Sequence, residues 1–291
     1  MEKSRIDTSL AEASRMLSAS PTPRLDAEIL LSHVLDKPRS YIFTWPEALL
    51  TGEQMDRFLK LINQRKEGHP VAYLTGQREF WSLKLKVTEA TLIPRPDTEL
   101  LVELALGLAL NHASQPGQMK APKVKAADLG TGTGAIALAL AKEQPDWEVT
   151  AIDKSPEALA VATENAAINN IRNTVFLEGS WCSPLAKGSM DMIVSNPPYI
   201  RSNDPHLNDG DVRYEPRSAL ISGADGLDDI RTIAEQALQS LKHEGWLLLE
   251  HGYDQGGPVQ AILSRAGFTQ IRTETDLAGH DRVTLARKPA A

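Results

Sequence analysis

Two short motifs and one aspartate contain the residue types best suited to chemistry. A glycine-rich loop follows the apolar run KAADL and consists of Gly130, Thr131, Gly132, Thr133 and Gly134. A proline-rich tetrad follows the run MDMIVS and consists of Asn196, Pro197, Pro198 and Tyr199. Asp153 ends a third such run, EVTAID. Because ligands of open α/β sheets bind beyond the carboxyl ends of the strands, we expect the loop, the aspartate and the tetrad to face one site.

The glycine loop and Asp153 indicate a site for a nucleotide-like ligand. Glycines let the backbone turn sharply and let a ligand approach without a Cβ in the way. The two oxygens of the Asp153 carboxylate match two ribose hydroxyls. Gly130, Gly132 and Ala135 also satisfy a dinucleotide-binding pattern, so the loop alone leaves NAD and S-adenosylmethionine open, although Gly134 favours the latter. A turn that merely packs a helix on a strand is the alternative, and Asp153 argues against it.

The tetrad provides groups that can hold a planar amine. Its prolines lack backbone N–H donors, so this part of the backbone presents carbonyl acceptors. The Asn196 side-chain oxygen and the Pro197 carbonyl can therefore accept both hydrogens of an NH₂ group, as in glutamine or adenine, and aim its nitrogen at a methyl donor. Tyr199 would supply a flat apolar wall. A rigid Pro-Pro turn is the alternative, but the combination with the glycine loop and Asp153 favours a methyltransferase.

The segments around these motifs predict a doubly wound α/β sheet. From residue 124 onward strand-like and helix-like runs alternate, which is typical of a mostly parallel sheet with right-handed crossovers. The strand-like runs are KAADLG, EVTAID, TVFLEG, MDMIVSN and GWLLLEHG. The final two runs, FTQIRTET and DRVTLARK, have no helix between them and predict an antiparallel pair that closes the sheet.

The first part of the chain predicts a small helical domain. Leu10, Ala13 and Leu17 recur at helical spacing, and Thr51 with Gln54 predicts a capping box that opens another helix. The basic residues of that helix are Arg57, Lys60, Arg65 and Lys66. We interpret them as a solvated helix face rather than a contact patch.

An extended segment follows the helices. Its alternating apolar residues, which predict a half-buried strand and a hairpin, are Trp81, Leu83, Leu85 and Val87. Asp97 is placed to cap the helix ELLVELALGLAL, and the polar stretch HASQPGQMKAPK predicts a loop. We therefore expect a helical domain over 1–70, a β-hairpin linker over 71–95 and a methyltransferase domain over 96–291.

The composition disfavours several other classes of protein. A formal net charge of −7 argues against a chain held mainly by phosphate neutralisation. The start MEKSRIDTSL has no apolar signal core, and no run reaches the roughly 20 apolar residues that span a bilayer. The single cysteine, Cys182, cannot form an internal disulfide and is no metal site by itself. We expect a cytoplasmic monomer with no metal, no membrane partner and no direct nucleic-acid partner.

The whole chain resembles the HemK/PrmC family of release factor glutamine N5-methyltransferases. The resemblance is carried by PVAYLTGQREFWSLKLKV, IPRPDTELLV, DLGTGTGAIALALA, SNPPY and YEPRSALISGADGL, together with the helical N-terminal region. The tetrad alone is shared with adenine-N6 DNA methyltransferases, whereas its combination with IPRPDTE and YEPR is more specific. The resemblance implies a class I Rossmann-like methyltransferase fold, S-adenosyl-L-methionine as cofactor and S-adenosyl-L-homocysteine as product. It also implies methylation of the glutamine in the Gly-Gly-Gln motif of peptide chain release factors, which modulates translation termination.

The same resemblance implies roles for single residues. Residues 130–134 would contact the methionine part of the cofactor, and Asp153 its ribose. Trp181 would lie near the adenine, with a core aromatic as the alternative. Asn196 would touch both cofactor and substrate, and the rest of the tetrad would complete the glutamine site. The helical domain would recognise the release factor.

Several alternatives stay open at this point. Arg95 and Arg217 either line the mouth of the site or form a buried salt bridge or loop anchor, and His251 is interpreted as structural rather than catalytic. One rival function is methylation of the exocyclic amine of adenine in a nucleic acid, which needs base flipping and a basic surface. The other is a dinucleotide-binding protein without methyl transfer. The choice of release factors and the orientation of the domains are undetermined.

Overall fold

Two units are distinguished in the computed structural model, which describes residues 4–113 and 123–291. The helical unit comprises Met1–Gln77 and His206–Tyr214, and the second unit comprises Arg78–Pro205 and Glu215–Ala291. The predicted loop HASQPGQMKAPK lies outside the described residues, apart from its first two residues, which belong to a helix, and its last residue.

Apolar side chains at helical spacing build the first unit. Its helices are α1 (Ile6–Met16), α2 (Pro23–Leu35), α3 (Arg39–Thr44), α4 (Gly52–Lys66) and α5 (Val71–Thr75). Leu10, Leu30 and Phe58 are buried together in its core. The predicted capping box is confirmed, because the N–H of Gln54 donates to Thr51 Oγ1 at 3.2 Å and the Gln54 side chain accepts from the N–H of Thr51 at 2.9 Å.

Arg65 does not belong to a solvated helix face, so that prediction is wrong for this residue. Its side chain is 9% exposed, and its guanidinium donates to Asp26 at 2.7 Å and to Asp211 at 2.6 Å. Asp211 lies in the segment 206–214, which the sequence analysis had assigned to the methyltransferase domain. The spacing of residues along a helix cannot reveal a partner that arrives from a distant part of the chain.

A hairpin is present as predicted, and its turn lies at the start of the predicted strand. The strands are β1 (Gln77–Phe80) and β2 (Leu83–Lys86). Trp81 and Ser82 have φ angles of 50° and 56° and form the two-residue turn, so the prediction of a strand beginning at Trp81 is wrong at that end. Positive φ at both turn residues gives the twist that matches the flanking strands.

The start of the next helix corrects another expectation. A 3₁₀ turn, Pro96–Thr98, precedes α6 (Glu99–Ala113). The residue before this turn is Arg95, and no side chain caps it, so the predicted cap by Asp97 is wrong. The fixed φ of Pro96 favours a start at that residue, which leaves Asp97 inside the first turn.

The sheet of the second unit confirms the predicted fold class. Its strands are β3 (Lys125–Leu129), β4 (Glu148–Asp153), β5 (Thr174–Glu178), β6 (Met190–Ser195), β7 (Leu241–Glu250), β8 (Thr269–Thr275) and β9 (Asp281–Arg287). They follow the order β5-β4-β3-β6-β7-β9-β8. Strands β3 to β7 pair in parallel, whereas the last strand, β9, runs antiparallel to both of its neighbours.

Helices cover both faces of this sheet. Besides α6 they are α7 (Ala135–Glu143), α8 (Pro156–Ile168), α9 (Asp228–Ser240) and α10 (Gly256–Ala266). Ala126 and Val194 belong to the core that includes α7, whereas their chain neighbours Ala127 and Ile193 belong to the core that includes α9. Successive strand residues point to opposite faces, so both faces are buried, as in a doubly wound fold.

The strand order reverses between β3 and β6. From β3 the chain proceeds to β4 and β5 on one side, and from β6 to β7 on the other. Leu129 pairs with Ser195 at the carboxyl ends of β3 and β6, so the residues that follow them lie at the switch point where such sheets bind ligands. Within residues 4–113 and 123–291, no helix has both the length and the apolar character needed to cross a membrane.

Candidate active site

A cleft lies at the carboxyl ends of β3, β4 and β6. Its empty volume, open solvent included, is about 710 Å³. The lining residues are Ala90, Thr91, Leu92, Gly130, Gly132, Asp153, Lys154, Ser155, Ala158, Gly179, Ser180, Trp181, Asn196, Pro198, Pro216, Ser218 and Ala219. Of the predicted site residues, the structure therefore brings Gly130, Gly132, Asp153, Trp181, Asn196 and Pro198 to one cleft.

The glycine loop turns through left-handed backbone conformations. Gly130, Gly132 and Gly134 have φ angles of 70°, 55° and 82°, a region that L-residues with side chains rarely adopt. A Cβ at Gly130 would lie 3.2 Å from the ring of Trp181, so a side chain there would be tightly packed against that ring. Nothing lies within 4 Å of a Cβ at Gly132, which leaves that part of the backbone open to a ligand.

The two threonines of the loop are turned into the protein. Thr131 Oγ1 donates to Asp128 Oδ2 at 2.6 Å, and the Thr133 carbonyl accepts from the Asn165 side chain at 2.9 Å. Both threonines are buried and neither lines the cleft. Burial raises the pKa of the Asp128 carboxyl to about 7. These residues hold the loop in shape.

Asp153 stands at the end of β4 and faces the cleft. Its Oδ2 accepts from the N–H of Gly132 at 2.9 Å, and its Oδ1 accepts from the N–H of Ser155 at 2.9 Å. A carboxylate has about four acceptor positions, so each oxygen can accept one further hydrogen bond from a ligand in the cleft. The aspartate thus both fixes the glycine loop and offers acceptors.

Trp181 has features of both roles considered from the sequence, a residue near the ligand and a core aromatic. Its ring lines the cleft over Gly130, and it also packs against the buried core on the α9 side of the sheet. Its φ of 51° shows that it stands at a sharp turn after β5. A half-buried indole in this place offers a flat apolar surface to a planar ligand.

The tetrad follows β6 without regular secondary structure, and its members have different environments. Asn196 and Pro198 line the cleft, whereas Pro197 and Tyr199 are not among the lining residues. Burial raises the pKa of the Tyr199 hydroxyl, and its carbonyl accepts from the Gln255 side chain at 3.0 Å. The structure thus gives Tyr199 a half-buried position next to Pro198.

The side chain of Asn196 contacts two residues that the sequence analysis missed. Its Nδ2 donates to Thr98 Oγ1 at 3.2 Å. The Glu250 carboxyl is buried, which raises its pKa to about 7, and hydrogen bonds from Thr98 and Asn196 oppose that rise. A signal for Glu250 existed, since it is an acidic residue at the carboxyl end of an apolar strand predicted in the same sheet.

Of the residues without an assigned role, Arg95 has a charged partner and Arg217 lies in a short turn of the second unit. Arg95 donates to Glu215 at 2.5 Å, and the side chain of Glu215 is fully buried, so this pair is a largely buried salt bridge. The next residue, Pro216, lines the cleft, which makes the pair an anchor for one cleft wall. Arg217 begins a 3₁₀ turn, Arg217–Ala219.

His251 is buried, and both of its ring nitrogens have partners. Nδ1 lies 2.9 Å from the carbonyl of Gly252, and Nε2 lies 2.8 Å from Thr284 Oγ1. Burial lowers the pKa of this imidazole, so the neutral form is favoured. A neutral ring donates through Nδ1 to the carbonyl and accepts at Nε2 from the hydroxyl. These contacts give His251 a structural role between β7 and β9.

The sheet order, the antiparallel β9 and the cleft at the switch point define a Rossmann-like methyltransferase. Two solved structures share this fold. A methyltransferase from Pyrococcus furiosus has a TM-score of 0.52 and 16% identity, covering 79% of this chain and 98% of that chain. The delta-N METTL16 MTase domain also has a TM-score of 0.52, with 17% identity over 72% of this chain and 89% of that chain.

The chain belongs to the release factor glutamine methyltransferase family. It matches the models of the PrmC N-terminal domain over residues 8–76 and of the methyltransferase small domain over residues 114–209. The release factor glutamine methyltransferase of Vibrio cholerae is 54% identical over 97% of this chain and 96% of its own length. Those of Pseudomonas aeruginosa and Escherichia coli are 51% and 49% identical, over 93% and 96% of this chain and 95% and 97% of their own lengths.

Proposed function

We propose that this chain transfers a methyl group from S-adenosylmethionine to the side-chain amide nitrogen (N5) of a glutamine in a peptide chain release factor. The observation that carries the proposal is that Asn196 and Pro198 line the same cleft as Gly130, Gly132 and Asp153. A planar amide at the tetrad would therefore lie beside a nucleoside-type cofactor at the loop. The high identity to release factor glutamine methyltransferases supports the same assignment.

The cleft fits S-adenosylmethionine, which when bound supplies a methyl group on a positively charged sulfur. The free acceptor positions of Asp153 match the two ribose hydroxyls. Gly130 and Gly132 leave the backbone uncovered for the methionine part, and Trp181 offers a flat wall to the adenine. These residues are our candidates for cofactor binding.

The substrate amide would be held by two acceptors of the tetrad. Asn196 Oδ1 and the Pro197 carbonyl would each accept one N–H, which fixes the nitrogen toward the methyl group. The lone pair of an amide nitrogen is delocalised, so alignment is the main resource, and it can contribute about 7 to 11 kcal/mol. As the nitrogen gains positive character, its hydrogens become more acidic and both hydrogen bonds strengthen. The acceptors therefore act mostly in the transition state, and one N–H proton leaves as the methylated amide forms.

The helical unit is our candidate for recognition of the release factor, within the domain boundaries of 1–70, 71–95 and 96–291 proposed from the sequence. We place the target glutamine in a Gly-Gly-Gln motif, since two glycines let a loop extend thinly into a narrow cleft. A cytoplasmic location and a role in translation termination follow from such a substrate. The net charge of −7 disfavours a nucleic-acid substrate.

Methyl transfer to a purified release factor tests the proposal. The chain is incubated with S-adenosylmethionine carrying a labelled methyl group, and the modified peptide is mapped by mass spectrometry. We expect a single methyl group on the glutamine of Gly-Gly-Gln. A release factor with alanine in place of that glutamine is the matched control and should remain unlabelled.

Nucleic acids are tested as the alternative substrate, and NAD is tested as the alternative ligand. A phosphate-driven substrate interaction would lose orders of magnitude in affinity as salt rises through the physiological range. We expect methyl transfer to the release factor to lose much less. Label on DNA or RNA with a steep salt slope would contradict the protein substrate. Binding of NAD without binding of S-adenosylmethionine would contradict the methyltransferase assignment itself.

A further inference from the structure

The Asn196 side chain can accept from a substrate amide only if its oxygen, and not its NH₂ group, faces the substrate. A half-turn of the terminal amide exchanges the two groups with little change in shape, although one is an acceptor and the other a donor. The neighbours of Asn196 inside the protein therefore decide whether its oxygen or its NH₂ group faces the substrate. Thr98 and Glu250 are these neighbours.

The side chains of Asn196, Thr98 and Glu250 interact. Asn196 Nδ2 donates to Thr98 Oγ1 at 3.2 Å, and interactions with Thr98 and Asn196 lower the pKa of the Glu250 carboxyl, against the effect of its burial. An ionised carboxylate only accepts, so the groups of Thr98 and Asn196 that face it must be donors. Thr98 accepts one N–H of Asn196, and with the second N–H toward the Glu250 carboxylate, Oδ1 is the atom left for a ligand in the cleft.

The position of Glu250 supports a functional reason for its presence. Ser195 and Leu249 are register partners near the ends of β6 and β7, so the next residues, Asn196 and Glu250, lie side by side, with Glu250 as the last residue of β7. Glu250 is 1% exposed, and its Oε2 has no hydrogen-bond partner among the described residues. Burying a carboxyl group in this way costs free energy that an apolar residue would not.

We infer that Glu250, together with Thr98, is a positioning residue that fixes the Asn196 amide with Oδ1 toward the substrate. The identity of that substrate rests on the proposed function. Without the Glu250 carboxylate, the N–H groups of Asn196 would find acceptors by turning toward water in the cleft. The free energy of the lost hydrogen bonds would then favour the wrong orientation.

Two matched pairs of variants test the inference at mildly alkaline pH. Glu250→Met keeps the side-chain length without an acceptor, whereas Glu250→Gln keeps an acceptor oxygen. Thr98→Val and Thr98→Ser form the corresponding pair for the hydroxyl group. From the usual strength of a hydrogen bond to a charged acceptor, kcat should fall about 10-fold to 100-fold in Glu250→Met. Gln and Ser should restore most of the loss, while Glu244→Gln, an exposed position on the same strand, should leave kcat unchanged.

A double-mutant cycle separates positioning from a general structural effect. If Glu250 acts through Asn196, Glu250→Met should change kcat by less than about threefold in an Asn196→Ala background. The affinity for S-adenosylmethionine should stay within about threefold of wild type in Glu250→Met. Multiplicative losses of kcat in the double variant, or unchanged kcat in both Glu250→Met and Thr98→Val, would overturn the inference.

Hydrogen exchange supplies a readout that needs neither cofactor nor substrate. The side-chain NH₂ signals of Asn196, identified by their disappearance in Asn196→Ala, should exchange slowly in the wild type and much faster in Glu250→Met. Fast exchange in the wild type would overturn the inference even if the release factor is methylated. Slow exchange without methylation of the release factor would instead contradict the proposed function and leave the network in place.

Discussion

Replacing Asp153 by alanine tests whether the cleft holds a ribose. In the structure each carboxylate oxygen accepts one backbone N–H, from Gly132 and from Ser155, both at 2.9 Å. One acceptor position on each oxygen is left for a hydroxyl. Hydrogen bonds to a charged acceptor are worth about 1.5 to 3 kcal/mol each, so the Kd for S-adenosylmethionine should rise about tenfold to a hundredfold or more.

The same substitution has a second consequence that the structure reveals. Asp153→Ala also leaves the N–H groups of Gly132 and Ser155 without their acceptor, which loosens the glycine loop. We expect the free energy of unfolding to fall by about 1 to 3 kcal/mol, since each lost internal hydrogen bond typically contributes 0.5 to 1.5 kcal/mol. Titration calorimetry measures the affinity and urea unfolding measures the stability.

Asp276→Ala is the matched control for this pair of effects. Asp276 Oδ1 accepts from the N–H groups of Ala278 and His280, at 2.9 and 3.0 Å, in the turn between β8 and β9. Asp276 Oδ2 also pairs with Arg282 at 3.0 Å, so Asp276→Ala should lower stability at least as much as Asp153→Ala and leave the cofactor affinity unchanged. A folded Asp153→Ala protein that binds S-adenosylmethionine with unchanged Kd would refute our assignment of Asp153.

Other perturbations probe the acceptor, the buried carboxyl and the loop. Asn196→Ala should lower kcat by about 10² to 10³ in single-turnover methylation at saturating cofactor, with little change in cofactor Kd; a near wild-type rate would contradict the acceptor role. Burial raises the pKa of Asp128 from 3.8 to about 7, so the native state binds more protons than the unfolded state between these values. Asp128 should therefore make the free energy of unfolding fall as pH rises through this window, by up to about 4 kcal/mol, and Asp128→Asn should make the profile measured in urea less steep. An equally steep profile in that variant would exclude Asp128 as the source. Gly130→Ala should lower the free energy of unfolding by about 1 to 2 kcal/mol because of its positive φ, with a further loss from the close contact with Trp181, and it should weaken cofactor binding. Gly188→Ala, at a positive φ with nothing within 4 Å, should show only the loss that comes from φ.

The sequence by itself determined the fold class and the place of the cleft. Alternating strand and helix runs require a parallel doubly wound sheet, and the carboxyl ends of its strands must meet at one edge. Motifs that directly follow or end strands, such as the glycine loop, Asp153 and the tetrad, could therefore be predicted to lie close together. The capping box at Thr51 was equally predictable, because it depends on residues three apart.

The local pattern of residue types did not predict the ends of strands and helices correctly where two neighbouring signals competed. The alternation of apolar residues extended through Trp81, but the turn of the hairpin took Trp81 and Ser82, and both adopted positive φ. Asp97 had the side chain of a cap, but Pro96 began the turn before it. In both cases the competing signal lay within two residues.

Tertiary structure alone decided which distant side chains meet. Arg65 found Asp211, 146 residues away, and thereby left the solvated face expected from its helix. Glu250 and Thr98 came together with Asn196 because β7 lies beside β6 and Thr98, in the turn before α6, accepts a hydrogen bond from Asn196. A hydrogen bond needs its two atoms within about 3.5 Å and in the right direction, and that condition depends on the packing of whole elements rather than on spacing along the chain.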